Sequence, residues 1–135
     1  MNTTRPMNSA QLSQVNNAMK NMKEGVNSAQ KANGQITAGA NALQNNQPGL
    51  ANRNATNASA NMKRAVSKIE NARNAMANLA NKTNNKKAAA SAQAMTNTLK
   101  SAEKLLYTDM FAHAAKAFKL MAESTTANTV NIRKN

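Results

Sequence analysis

The sequence predicts an all-α protein, an elongated helical hairpin or a three-helix coiled-coil-like bundle with flexible termini, and three observations predict it. Apolar residues recur three and four apart over long stretches. Alanine and methionine supply most of the apolar content, and alanine is the strongest helix former. One Pro-Gly pair, Pro48-Gly49, interrupts the pattern near mid-chain. The 135 residues suit a single domain. Large side chains are scarce, the aromatics being only Tyr107, Phe111 and Phe118. Alanine buries little area, so the core is expected to be a thin seam or to be completed on neighbouring subunits.

Residues 1–7 are expected to form a flexible arm ending near Pro6. Asn8, with Gln11 three residues later, has the form of a capping box. A heptad stripe then begins with Leu12, Val15, Met19, Met22, Val26 and Ala29. It continues in register through Asn33, Ile36, Ala40 and Leu43. The stripe has the narrow width of a coiled-coil seam. Gly25, Gly34 and Gly39 each cost about 1 kcal/mol relative to alanine. The register survives Gly34, which predicts one helix over about 8–45, with small residues that permit close helix approach. Asn45-Asn46-Gln47-Pro48-Gly49 is the expected reversal.

The second helix is expected over about 51–81. Ala55, Ala58, Met62, Ala65, Ile69, Ala72, Met76 and Leu79 alternate three and four apart, and Val66 widens the stripe. Alanines at these positions favour close packing of the hairpin. Residues 81–87 are wholly polar and lose the register, so a loop is expected there. The alternative is one longer helix, because Lys86 and Lys87 in a first turn oppose the helix dipole. The third helix is expected over about 88–122, from Ala88, Ala92, Met95, Leu99, Ala102, Leu106, Met110, Ala114, Ala117 and Met121. Leu105, Phe111, Phe118 and Leu120 broaden that face. Residues 123–135 carry no stripe and are expected to be flexible. The candidate packing or oligomer-interface residues are therefore Leu12, Val15, Met19, Met22, Met62, Ile69, Met76, Leu99, Leu106, Met110, Phe111, Phe118 and Met121.

Eighteen lysines and arginines face five acids, a net charge of +13. Such an excess attracts polyanions and repels copies of the chain. Nucleic acid, an anionic membrane surface and an acidic protein are the partner classes it suits. Lys63, Arg64, Lys68, Arg73 and Lys82 fall outside the second seam. With Lys86 and Lys87 they are the candidate nucleic-acid or anion contacts, forming a basic stripe along one hairpin edge. Neutralising phosphates needs such charges but no fixed spacing, and it gives sequence-independent, salt-sensitive binding. No base-reading motif is present, and aromatics for stacking are nearly absent. The alternative is a solvated basic face with no dedicated ligand. Residues 99–121, flanked by Lys100, Lys104, Lys116 and Lys119, also have the pattern of a membrane-surface helix. A core helix with solvated lysines accounts for the same pattern.

Little in the sequence suits catalysis. The single histidine, His113, follows Asp109 by four residues, a spacing that starts a metal site or simply a helix-stabilising pair. No third ligand is evident, no glycine loop suits phosphate, and no serine has a histidine in its pattern. No enzyme activity, cofactor, metal or small-molecule substrate is expected. There is no cysteine, so disulfides and thiolate sites are excluded. No signal peptide or membrane-spanning run is visible in the sequence.

The expected role is that of a structural subunit whose partners are further copies of itself or other assembly proteins, with phosphate-backbone contact to nucleic acid. In composition the chain is similar to small internal or connector-associated proteins of bacteriophage particles. Those are Ala-rich, Asn- and Gln-rich, basic, cysteine-free and helical. The likeness spans the whole chain and rests on no motif. It implies a virion or host-cytoplasmic component that lies beside packaged genome or is ejected with it. The alternatives are a DNA-condensing protein, a membrane-active helical protein, and a secretion-filament or scaffold subunit.

Overall fold

The computed structural model describes residues 3–134, with side chains as far as Thr125. The protein is all-helical: α1 is Ser9–Gln44, α2 Pro48–Thr83, α3 Lys86–Glu103 and α4 Tyr107–Lys134. Consecutive helices pack against each other, and α4 returns to α1, which gives an up-down-up-down bundle. The sequence expectation of a helical hairpin and bundle holds, with four helices in place of three. At 1.5 Å per residue, α1 and α2 are each about 54 Å long, and α3 is about half that. The α3–α4 hairpin therefore covers only one half of the α1–α2 hairpin. The other half, roughly 33–61, projects as a two-helix arm.

The first helix starts as its sequence predicts. Asn8 accepts from the Gln11 backbone N–H at 2.8 Å, and Gln11 Oε1 accepts from the Asn8 N–H at 3.0 Å. The helix runs unbroken through Gly34, beside which a Cβ would meet nothing within 4 Å. It ends at a left-handed residue, Asn46 (φ 57°), with Gln47 N–H donating back to Ala42 O at 2.8 Å. That is a Schellman closure. Pro48 then opens α2 in the first turn, where its missing N–H costs nothing. The same closure recurs at Asn84 (φ 51°), where Asn85 N–H donates to Ala80 O. The expected 82–87 loop is thus a two-residue corner, with Lys82 still in α2 and Lys86 and Lys87 already in α3. Asn85 caps α3, accepting from Ala88 N–H at 3.0 Å, and its amide donates to Ser124 O of α4 at 2.9 Å.

Three expectations for the chain ends and the last helix are corrected. Residues 88–122 are not one helix. A third Schellman closure divides them at Leu105 (φ 58°), with Leu105 N–H to Ala102 O at 3.0 Å and Leu106 N–H to Ser101 O at 2.8 Å. The expected arm 1–7 is docked over its described part. Arg5 N–H donates to Thr83 O at 2.7 Å, Thr4 Oγ1 to Asn84 O at 3.2 Å, and Met7 is buried. Beyond residue 122, α4 continues to Lys134, so the tail's backbone is helical through that residue; Asn135 lies outside the described residues.

The hairpin seam differs from the expected heptads in a regular way. Val15, Met22 and Ala29 are buried as expected. Between them lie Ala18, Gly25, Ala32 and Gly39, each seven residues apart, in place of Met19, Val26, Asn33 and Ala40. On α2 the buried alanines 51, 58, 65 and 72 repeat at the same interval, while Ala55 is exposed. A Cβ on Gly25 would lie 3.1 Å from Ala65 O and 2.8 Å from Ile69 Cγ1. One on Gly39 would lie 3.5 Å from Ala51 O. Gly25 against Ala65 and Gly39 against Ala51 set an antiparallel register in which Ala32 faces Ala58 and Ala18 faces Ala72. Small residues on both helices bring the two backbones together.

Of the candidate packing residues, Val15, Met22, Ile69, Met76, Met110 and Met121 are fully buried. Leu12, Met19, Met62, Leu99, Phe111 and Phe118 are half-buried against the same core. Leu106 is the exception: it sits in the α3–α4 corner and is exposed.

Candidate nucleic-acid interface

The α1–α2 hairpin has one face covered by α3 and α4 and one open face. Which basic residues reach the open face follows from helical spacing. On α2, Arg64, Lys68 and Lys82 fall within one narrow strip at about 100° per residue. On α1, Lys20, Glu24 and Lys31 do the same. The two strips meet at the ion pair between Lys68 Nζ and Glu24 Oε2, 2.9 Å apart. Asn61 bridges them further along, donating to Gln35 Oε1 at 2.9 Å and accepting from Arg64 at 3.2 Å. The docked N-terminal segment adds Arg5, whose guanidinium reaches Lys82 O at 3.5 Å. One acid, Glu24, therefore stands among Arg5, Lys20, Lys31, Arg64, Lys68 and Lys82. From Arg64 to Lys82 the strip spans roughly 27 Å.

The seven residues expected to form a single stripe divide. Arg64, Lys68 and Lys82 are on the open face. Lys63 points outward from the hairpin, at the rim of a different groove. Arg73 lies on the opposite flank, where it lines the α2–α3 groove with Glu70, Lys100 and Glu103. Lys86 and Lys87 are exposed at the α2–α3 corner. Lys87 Nζ pairs with Glu123 Oε2 at 3.1 Å, which offsets the unfavourable position of a lysine in a first turn. Lys20, Lys31 and Arg5 were not singled out from the sequence. Lys20 and Lys31 each lie about a whole number of turns from Glu24, and Glu24 is the only acid on α1. Arg5 has no such signal, because its place depends on the packing of the segment before α1.

The Lys68 ammonium, hydrogen-bonded to Glu24, holds that carboxyl below the usual glutamate range, and the charge of Lys20 adds to the effect. Its lowered folded value contributes stability above the ordinary carboxylate range, and that contribution is lost as pH falls through the lowered value. Both side chains are well exposed, so the effect on stability is small. The titration itself is the sharper readout. NMR titration of wild type is expected to place Glu24 below the ordinary glutamate range, and Lys68→Met is expected to raise it toward that range. An unchanged Glu24 midpoint in Lys68→Met would show that the pair does not form in solution.

Asp109 is exposed and His113 half-buried, one turn apart on α4. Among the described residues, no group of three or more His, Cys, Asp or Glu is placed to hold a metal ion. Among them too, no helix is long and apolar enough to cross a membrane. The proposed surface-seeking helix over 99–121 is broken at Lys104–Leu106, and Met110, Ala114, Ala117 and Met121 of its apolar face are buried in the bundle. No protein-family model, curated protein or solved structure matches the chain.

Proposed function

We propose that this protein is a non-enzymatic helical subunit of a larger assembly, of the bacteriophage-virion kind, whose open hairpin face lies against the phosphate backbone of nucleic acid. The observation that carries this reading is the strip of Arg5, Lys20, Lys31, Arg64, Lys68 and Lys82 with Glu24 as its one acid. A strip about 27 Å long parallels roughly eight base pairs of duplex at 3.4 Å each. Its side chains are flexible cations and amides, suited to phosphate oxygens and not to base edges. The remaining excess charge is spread over the bundle and would add long-range attraction.

The test is duplex binding across a salt series. With about five phosphates neutralised, affinity is expected to fall two to three orders of magnitude between roughly 50 and 200 mM salt. Lys20→Glu/Arg64→Glu is expected to weaken binding at least about 100-fold at the lower salt. Lys116→Glu/Lys119→Glu makes the same change in net charge on exposed positions of α4 and is expected to cost far less. Equal losses in the two pairs would mean that net charge alone acts and that the strip is no site. Salt-independent binding would overturn the reading altogether.

A further inference from the structure

We propose that the projecting two-helix arm is a self-association surface, on which a second copy of this chain lays its own arm antiparallel across the α3–α4 corner. Four observations point to it. The first is an apolar face left uncovered. The heptad stripe that is packed in the bundle through Leu12, Val15, Met19, Met22, Val26 and Ala29 continues past Asn33 into Ile36, Ala40 and Leu43, where Ile36 and Leu43 prolong the line of Val15, Met22 and Ala29. There the short hairpin has ended, and Ile36 and Leu43 are 39% and 62% exposed. Where the bundle steps down, Ile36, Ala55, Met62 and Val66 form an open groove of about 610 Å³ with Leu105 and Tyr107.

The second observation is charge. The chain carries +13, which opposes self-association, yet residues 32–62 hold one charged side chain, Arg53, and the groove at their base is lined by one cation and one acid, Lys63 and Glu70. Helical spacing turns Arg53 toward the open basic face, away from the groove. The arm is thus the part of this molecule that another copy can approach with least repulsion.

The third is backbone strain. The three helix corners each use one left-handed residue. Two are asparagines, which tolerate that conformation. The third is Leu105, 55% exposed, where the conformation costs about 1–2 kcal/mol. A strained leucine that projects its side chain into water is unfavourable twice over in the isolated chain. Both costs find a return if the side chain is covered in a complex. The fourth is a polar atom. The Tyr107 hydroxyl is buried beside the groove with no hydrogen-bond partner, and a partner's amide reaches it once the ring turns outward. An antiparallel partner arm, with its two-fold axis near Ala40, would bring its tip, Gln44 to Gln47, to the level of this corner.

In this arrangement each arm takes the place that α3 and α4 occupy lower down, so four helices continue along the whole hairpin. Two helices about 10 Å wide and 20 Å long offer a face of roughly 400 Å² per copy. That is about 800 Å² in total, below the size of standard stable interfaces, so the dimer expected is a weak, transient one. The surface is separate from the basic strip, so the two proposals fail separately.

The test uses the full chain without nucleic acid in sedimentation velocity over a concentration series. A weak, reversible dimer is expected toward the upper end of the series. Ile36→Asn/Leu43→Gln keeps the net charge and is expected to weaken the dimer at least about tenfold, with helicity and duplex binding unchanged. Leu105→Gly is expected to act with opposite signs: dilute protein melts at or above the wild-type temperature, while the dimer weakens. A merely structural Leu105 would not separate the two. The chain has no cysteine, so Ala40→Cys should cross-link on oxidation and Ala112→Cys, on exposed α4, should not. A monomer at all concentrations overturns the proposal, as does a dimer indifferent to Ile36→Asn/Leu43→Gln. A monomer whose groove takes up a fatty-acyl probe overturns it too, and assigns the groove to a small apolar ligand.

Discussion

Gly25→Leu is expected to destabilise the protein by about 3 kcal/mol and to lower the melting temperature by roughly 10 °C. Even a single Cβ at this position would sit 2.8 Å from Ile69 Cγ1 and 3.1 Å from Ala65 O. Ile69 is fully buried and Ala65 O belongs to the α2 backbone, so neither yields without moving the helix. The larger side chain must therefore spread the hairpin along its seam, and neighbouring alanine contacts are lost with it. Gly34→Ala is the matched control. Nothing lies within 4 Å of its added Cβ, so only helix propensity changes. That substitution is expected to stabilise by about 1 kcal/mol. Thermal denaturation followed by circular dichroism, on dilute protein, measures both. Equal effects of either sign at the two glycines would mean that the hairpin is not closely packed at Gly25.

Asn85→Ala is expected to cost about 2 kcal/mol. One side chain makes two buried contacts there, accepting from Ala88 N–H to start α3 and donating to Ser124 O on α4. Its removal leaves the first turn of α3 uncapped and loosens the contact between the α2–α3 corner and α4 at Ser124. Asn85→Ser keeps a capping oxygen but does not span to Ser124, so it is expected to recover about half of the loss. Hydrogen exchange should show the loss concentrated at the start of α3 and around Ser124. A loss spread evenly over all four helices would contradict that assignment.

Much of the fold was legible because helices announce themselves locally. The Asn8–Gln11 box, the continuity through Gly34 and the reversal before Pro48 all depend on residues close in sequence. The third corner was not legible, for an equally local reason. Asparagine marks the left-handed residue at Asn46 and Asn84, but Leu105 carries no such mark, and the apolar spacing passes over it undisturbed. A reading by periodicity therefore joined α3 to α4 and placed Leu106 in the core.

The basic surface was legible in amount and not in place. Composition alone established the excess of positive charge. Five residues of helix already set Lys68 and Arg73 about 140° apart, but which of them reaches the open face depends on which flank of α2 turns toward α1 and which toward α3. Lys20 and Lys31 join the strip only because α1 and α2 lie side by side in one register.

The sequence by itself determined that this chain is helical, basic and thin-cored, because alanine content, charge and heptad spacing are sums over local choices. Only the tertiary structure decided that there are four helices, that the seam runs through Gly25 and Gly39, and that the charges divide between an open face and the flanks. It also decided that the nearly neutral stretch 33–61 is left uncovered by α3 and α4. Those outcomes depend on which of two adjacent stripes wins the close contact. The physical reason is that a helix offers several apolar lines of similar width, and the partner backbone selects the one where the smallest side chains let it come nearest.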